Sequence, residues 1–130
     1  MPVILTITLN PALDISSSVA AVVAGPKLRC DEPRYDPGGG GVNVSRAILR
    51  LGGVSTAFVA LGGDIGKTLQ SMLQTEGIDV AAFWVADDNR QSFAILETSS
   101  KKQYRFQLPG PAWPPRQIAD MLAQLEPHLT

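Results

Sequence analysis

Four consecutive glycines, Gly38 to Gly41, followed by Asn43, form the stretch of this chain best suited to hold a ligand. Without Cβ atoms the backbone can be approached closely, and its amide N–H groups, with the start of a following helix, can donate to sugar hydroxyls or phosphate oxygens. A plain flexible turn is the competing reading, but four glycines cost more chain entropy than a turn requires. Two better-known phosphate loops fail on spacing. The dinucleotide fingerprint Gly-x-Gly-x-x-Gly needs a glycine where this chain has Asn43 or Val44. The segment Gly62-Gly63-Asp64-Ile65-Gly66-Lys67-Thr68 resembles a nucleotide P-loop, but the required first glycine falls on Leu61, so Gly-Lys-Thr reads as the first turns of a helix. Cys30 is the single cysteine, which excludes an internal disulfide and a Cys-rich zinc site and suits a reducing cytosol. The lone His128 has no acidic or thiol partner nearby in sequence and reads as a surface residue.

The elements that would carry this loop follow from hydrophobic periodicity. Val3 to Leu9 is apolar on both parities, as in a strand covered on both faces of a parallel sheet, and Asn10-Pro11 ends it. Asp14 to Gly25 and Lys27 to Tyr35 are too irregular for helices and fit short strands or extended loop. After the glycine turn, Val44, Ala47, Ile48 and Leu51 recur at helical spacing up to the stop at Gly52-Gly53, which predicts an amphipathic helix opening from the loop. Val54 to Leu61 predicts a strand. Asp64 is expected to cap a helix with Ile65, Leu69, Met72 and Leu73 inward and Gly77 as its stop, and Ile78 to Val85 predicts a further strand. Alternation of strand and helix predicts βαβ units, an α/β fold with helices on both sheet faces. Ser92–Glu97 and Gln103–Gln107 flank the polar turn Ser99-Ser100-Lys101-Lys102, a hairpin expected to form a flap or small accessory sheet. Beyond the Pro109 to Pro115 connector, Arg116 to Leu125 predicts one more helix with Ile118, Met121, Leu122 and Leu125 inward.

With 130 residues, 45% hydrophobic and 18% charged, the chain fits one modest globular domain. Its formal net charge of -1 comes from 11 basic and 12 acidic residues spread along the sequence, so it offers no electrostatic footprint for nucleic acid or an anionic membrane. The apolar N-terminal run has no preceding basic region and falls short of a membrane span.

The run Gly38-Gly39-Gly40-Gly41-Val42-Asn43-Val44-Ser45, followed by Gly52 and Gly62, resembles the first signature of the PfkB family of carbohydrate kinases in composition and spacing. Thr8-Leu9-Asn10-Pro11-Ala12-Leu13-Asp14 is similar to the opening strand and loop of the family's phosphosugar kinases. Lys27-Leu28-Arg29-Cys30, Pro37 with the four glycines, and Gln103-Tyr104-Arg105-Phe106 resemble the minor bacterial 6-phosphofructokinase type within it.

The resemblance implies part of a ribokinase-like three-layer α/β sandwich with a β-lid hairpin. Residues 1–130 would be the N-terminal sugar-binding part of the kinase domain, with lid segments near 14–36 and 91–107. The implied reaction is ATP- and magnesium-dependent phosphorylation of a phosphorylated ketohexose, foremost fructose 6-phosphate, in the cytoplasm. Asp14 would accept hydrogen bonds from sugar hydroxyls; Gly38, Gly39, Gly40 and Asn43 would meet the sugar through amides; Arg90 would clasp the phosphate. Lys27, Arg29 and Arg105 would add positive charge from the lid or a neighbouring subunit. A homodimer through the lid strands is expected, because exposed sheet edges tend to be covered and the family dimerises there.

The family's second signature, a Gly-Ala-Gly-Asp segment with the catalytic base and the anion-stabilising helix start, does not occur in these residues. Phosphoryl transfer rests on positioning and charge stabilisation, so the 130 residues alone are expected to be inactive. A non-catalytic sugar-phosphate-binding module remains an alternative, as does a kinase for fructose 1-phosphate or tagatose 6-phosphate. Relatives acting on those two sugars tend to carry a lysine at the position of Gly40, which favours fructose 6-phosphate here.

Overall fold

The computed structural model describes residues 4–129, so Val3, the expected start of the first strand, lies outside the described residues. In chain order the elements are β1 (Leu5–Thr8), β2 (Ala12–Val19), β3 (Arg34–Gly38), α1 (Gly40–Arg50), β4 (Thr56–Gly62), α2 (Gly63–Thr75), β5 (Asp79–Val85), β6 (Arg90–Glu97), β7 (Gln103–Gln107) and α3 (Pro115–Leu125), closed by a 3-10 turn at Glu126–Leu129. Two sheets result. The first, ordered β1-β4-β5, is wholly parallel, as the βαβ reading requires. The second, ordered β3-β2-β6-β7, is mixed: β2 runs parallel to β6 and antiparallel to β3, and β6 and β7 form the expected hairpin. The irregular stretch after Asn10 is therefore a regular eight-residue strand at the centre of the accessory sheet, its serines half-buried.

The core forms on both faces of β4, whose residues from Ala57 to Gly62 are all buried. Ala57, Val59 and Leu61 pack with Val42 of α1 and Leu69 and Leu73 of α2; Phe58 and Ala60 turn the other way, onto Phe83 and onto Met121 and Leu125 of α3. Strand alternation thus sorts one continuous apolar run into two helix-facing layers. His128 is exposed on its outer side, yet its ring meets Phe58 edge-on at 5.9 Å. Among the described residues no helix is long and apolar enough to cross a membrane.

Four expectations need correction. First, the apolar stripe Val44, Ala47 and Leu51 of α1 faces solvent, Leu51 being 87% exposed; the face against β1 carries Val42 and Ser45. The cause is close approach: a Cβ at Gly41 would stand 2.5 Å from Thr8 Oγ1 and 2.6 Å from the Ile7 carbonyl oxygen. Only small residues fit there, and Ser45, four residues on, shares a 2.6 Å hydrogen bond with Thr6. Second, α3 buries Met121 and Leu125, while Ile118 and Leu122 are exposed. Third, Asp64 does not cap α2. The helix begins two residues earlier than such a cap would start it, at Gly63 after Gly62, and the side chain holding this junction is Asn89, whose Oδ1 accepts from the Gly62 N–H at 2.9 Å. Fourth, Gly38, the first residue of the glycine turn, is instead the end of β3; the chain breaks at Gly39, at φ +144°.

Candidate functional site

Where the two sheets meet, β2, the β3–α1 junction and the β6–β7 hairpin enclose a cavity of about 280 Å³. Its lining includes Asp14, Ser16, Gly38, Gly39, Gly40, Asn43, Arg90, Ser92, Arg105 and Gln107. Register explains the lining: Asp14 stands beside Asp36 on one side and Ser92 on the other, Ser92 opposite Gln107, and Ala94 opposite Arg105. Because side chains alternate along strands, these polar residues share one sheet face, and Tyr35, Ile15, Phe93 and Phe106 form an apolar row on the opposite face. Tyr35 and Phe106 at its ends are exposed.

The glycine loop brings the body to this polar face. A Cβ at Gly38 would lie 2.1 Å from Asp14 Oδ2, so the absence of a side chain there is what leaves Asp14 its place. Gly39 passes so near Thr8 that a Cβ would fall 2.5 Å from the threonine methyl. Thr8 Oγ1 accepts the Val42 N–H at 3.0 Å and anchors the first turn of α1. That turn holds no acidic residue, and its N-cap, Gly39, has no side chain to offer it, so the positive end of the helix opens beside the cavity. At Gly40 a Cβ would meet nothing within 4 Å, which marks open space.

Arg90 opens β6, and its Nε donates to the Asn10 carbonyl at 3.3 Å. The preceding Asn89 is buried: its N–H donates to the Gly62 carbonyl, its Nδ2 to the Ala60 carbonyl, and its Oδ1 accepts from the Gly62 N–H. This clamp fixes where β6, and hence Arg90, starts relative to β4. Sequence reasoning passed over Asn89 because a polar residue between two strands looks like ordinary loop. Burial lifts the Asp14 carboxyl above its ordinary value; Arg90 opposes this, Asp36 adds to it, and Arg105 and Arg46 oppose it further, with burial prevailing.

Asp14, Gly38, Gly39, Gly40, Asn43, Arg90 and Arg105 are thus brought to one cavity. Lys27 and Arg29 are not among its lining residues; both are exposed on the loop between β2 and β3. That loop is tied at its two ends. Glu97 accepts the Val22 N–H at 2.6 Å, and Asp31 receives hydrogen bonds from the Ser17 and Ser18 hydroxyls, each at 2.6 Å. The Ser100 hydroxyl and then the Val22 N–H hold the Glu97 carboxyl below its ordinary value. Cys30 is exposed on the same loop.

Residues 7–113 match the family model described as pfkB family carbohydrate kinase. The chain belongs to the PfkB family. It is 49% identical over 111 residues to the ATP-dependent 6-phosphofructokinase isozyme 2 of Mycobacterium tuberculosis, covering 85% of this chain and 33% of that protein. It is 40% identical over 126 residues to the Escherichia coli enzyme of the same name, covering 95% of this chain and 41% of that one. The crystal structure of phosphofructokinase-2 from Escherichia coli in complex with fructose-6-phosphate superposes with a TM-score of 0.91 at 38% identity, over 98% of this chain and 42% of the other. A tetrameric inhibited form of the same enzyme superposes with a TM-score of 0.88 at 39% identity, over 96% and 41% of the two chains. The PfkB chain described here therefore spans a third to two fifths of the length of these relatives, and its α/β architecture is the N-terminal part of their ribokinase-like fold.

Proposed function

We propose that this chain is the sugar-phosphate-binding part of an ATP-dependent fructose 6-phosphate kinase, and that these 130 residues bind the sugar without transferring a phosphoryl group. The observation that carries the reading is the convergence of one carboxylate, one amide, the start of a helix and two guanidinium groups on a single cavity. A carboxylate accepts from hydroxyls, an amide nitrogen donates to sugar oxygens, and arginine forks match phosphate oxygens. A cavity of about 280 Å³ is at the small end for ligand sites, which suits a single phosphorylated sugar. The 6-phosphofructokinases and the fructose-6-phosphate complex among its relatives support this substrate.

The ATP and magnesium of the parent reaction do not fit the described residues in the same way. Among them no three His, Cys, Asp or Glu side chains gather as metal ligands, and the cavity offers arginines and one carboxylate, a set for a polyol phosphate. No step is therefore assigned to the nucleotide here. The two exposed aromatic residues of the accessory sheet, Tyr35 and Phe106, support a homodimer through the lid.

Titration calorimetry of the chain with fructose 6-phosphate, fructose and inorganic phosphate tests the proposal. Fructose 6-phosphate should bind more tightly than either part, and Arg90→Ala should remove most of the advantage conferred by the phosphate. Coupled ADP release with magnesium ATP should remain at background. An Arg90→Ala variant that binds as the wild type does would refute the assignment of the phosphate end, and genuine turnover would refute the division of labour.

A further inference from the structure

Arg46 of α1 is mostly buried and makes four hydrogen bonds from one guanidinium. Nε and Nη2 donate to the Glu76 carboxylate at 2.6 and 3.0 Å, Nη1 donates to Asn43 Oδ1 at 2.9 Å, and Nη2 donates also to the Pro37 carbonyl at 3.0 Å. Its partners thus come from the end of α2, the first turn of α1 and the end of β3. Glu76 alone would complete an ion pair, and a partly exposed pair of this kind contributes little to stability. Of the other two bonds, one goes to Asn43, which lines the cavity, and one to Pro37, the residue before the lining Gly38.

A guanidinium has donors only, so the Asn43 atom facing it must be the amide oxygen, and the amide nitrogen is turned away from it. The Pro37 carbonyl precedes Gly38, where any Cβ would collide with the Asp14 carboxylate. One side chain therefore sets both the rotation of the Asn43 amide and the place of the segment against which Asp14 rests. We infer that Arg46 is a positioning residue for the sugar, fixing Asn43 as a donor and seating the Pro37-Gly38 segment beside Asp14, the acceptor, so that a ligand must offer an acceptor to the first and a hydroxyl to the second. The inference rests on the sugar-phosphate reading of the cavity. It explains why an arginine stands there: lysine offers a point charge and cannot serve three acceptors in one plane.

The test is fructose 6-phosphate binding by the full chain, measured by calorimetry for Arg46→Met, Arg46→Lys, Asn43→Ala and the double variant Arg46→Met/Asn43→Ala, each with a thermal melt. Arg46→Met should weaken binding by about tenfold, the loss expected for one or two misdirected hydrogen bonds. The double variant should lose less than the product of the two single losses, because part of the effect of Arg46 passes through Asn43 and the rest through the Pro37-Gly38 segment. The Asn43 side-chain amide resonances of the ligand-free chain should shift in Arg46→Met, which a purely stabilising ion pair would not require. If Arg46→Met is unfolded at the assay temperature, Arg46→Lys carries the same comparisons. Losses that multiply in the double variant, unchanged affinity, or unmoved Asn43 resonances would overturn the inference and leave the sugar reading standing. A folded wild-type chain with no affinity for fructose 6-phosphate would sink both.

Discussion

Replacing Asp14 by asparagine should strengthen the fold and weaken the site at once. Burial raises the Asp14 carboxyl above 3.8, so the folded chain disfavours the ionised form. The sign follows from linkage: the contribution of Asp14 to stability is complete below pH 3.8 and is lost as pH rises through the raised value, which makes the ionised group a cost near neutrality. Asparagine removes that cost, so Asp14→Asn should melt higher than wild type at pH 7, and the difference should vanish in acid. Binding goes the other way. A hydrogen bond from a hydroxyl to a charged acceptor is worth about 1.5–3 kcal/mol, so the variant should lose about 10- to 150-fold in fructose 6-phosphate affinity. The ratio of wild-type to variant affinity should shrink as pH falls through the raised carboxyl value; using the ratio cancels titration of the ligand's own phosphate. Melts by circular dichroism and calorimetric titrations from pH 4 to 8 supply both numbers. A variant that melts lower at pH 7, or binds as tightly as wild type, would refute the placing of Asp14 as a strained acceptor.

Two other expectations test the cavity and the lid. Gly40→Lys should fold normally, because a Cβ there meets nothing within 4 Å, and should improve affinity for fructose 1-phosphate relative to fructose 6-phosphate by tenfold or so, the worth of one charge-assisted contact; an unchanged ratio by calorimetry would show that position 40 does not face the sugar. The chain should run as a dimer in multi-angle light scattering, and Phe106→Arg, at the exposed end of the apolar row, should return it to a monomer with an intact far-ultraviolet spectrum; a wild type that stays monomeric at high concentration rules out the lid interface.

Strand periodicity was legible where one strand faces two layers, as in the segment from Ala57 to Leu61, and the hairpin was legible from its polar turn. The centre of the accessory sheet was not. The stretch from Asp14 to Gly25 reads as irregular because the alternation of Leu13 and Ile15 with Asp14 and Ser16 gives way to three consecutive serines, Ser16 to Ser18, and one face of β2 lines the cavity. The cavity residues themselves were legible through the glycine signature and the family resemblance; their supports were not. Arg46 and Asn89 act through hydrogen bonds to backbone and side-chain groups separated by up to thirty residues, and nothing local in sequence marks such a partner.

The orientation of α1 carries the more general physical point. Hydropathy singles out Val44, Ala47 and Leu51 as the inward stripe, yet contact with β1 is made at Gly41, Val42 and Ser45. Two demands compete on that helix. An apolar stripe gains by burial, but the helix must also lie close enough to β1 for Thr8 to hold its first turn and for the Gly38 to Gly40 amides to reach the cavity. Close approach allows only small side chains at the contact, and the hydroxyls of Thr6, Ser45 and Ser55 satisfy one another there instead of packing methyl groups. The larger apolar residues Val44 and Leu51 stand on the other side of the helix, so periodicity alone does not identify the face that meets β1.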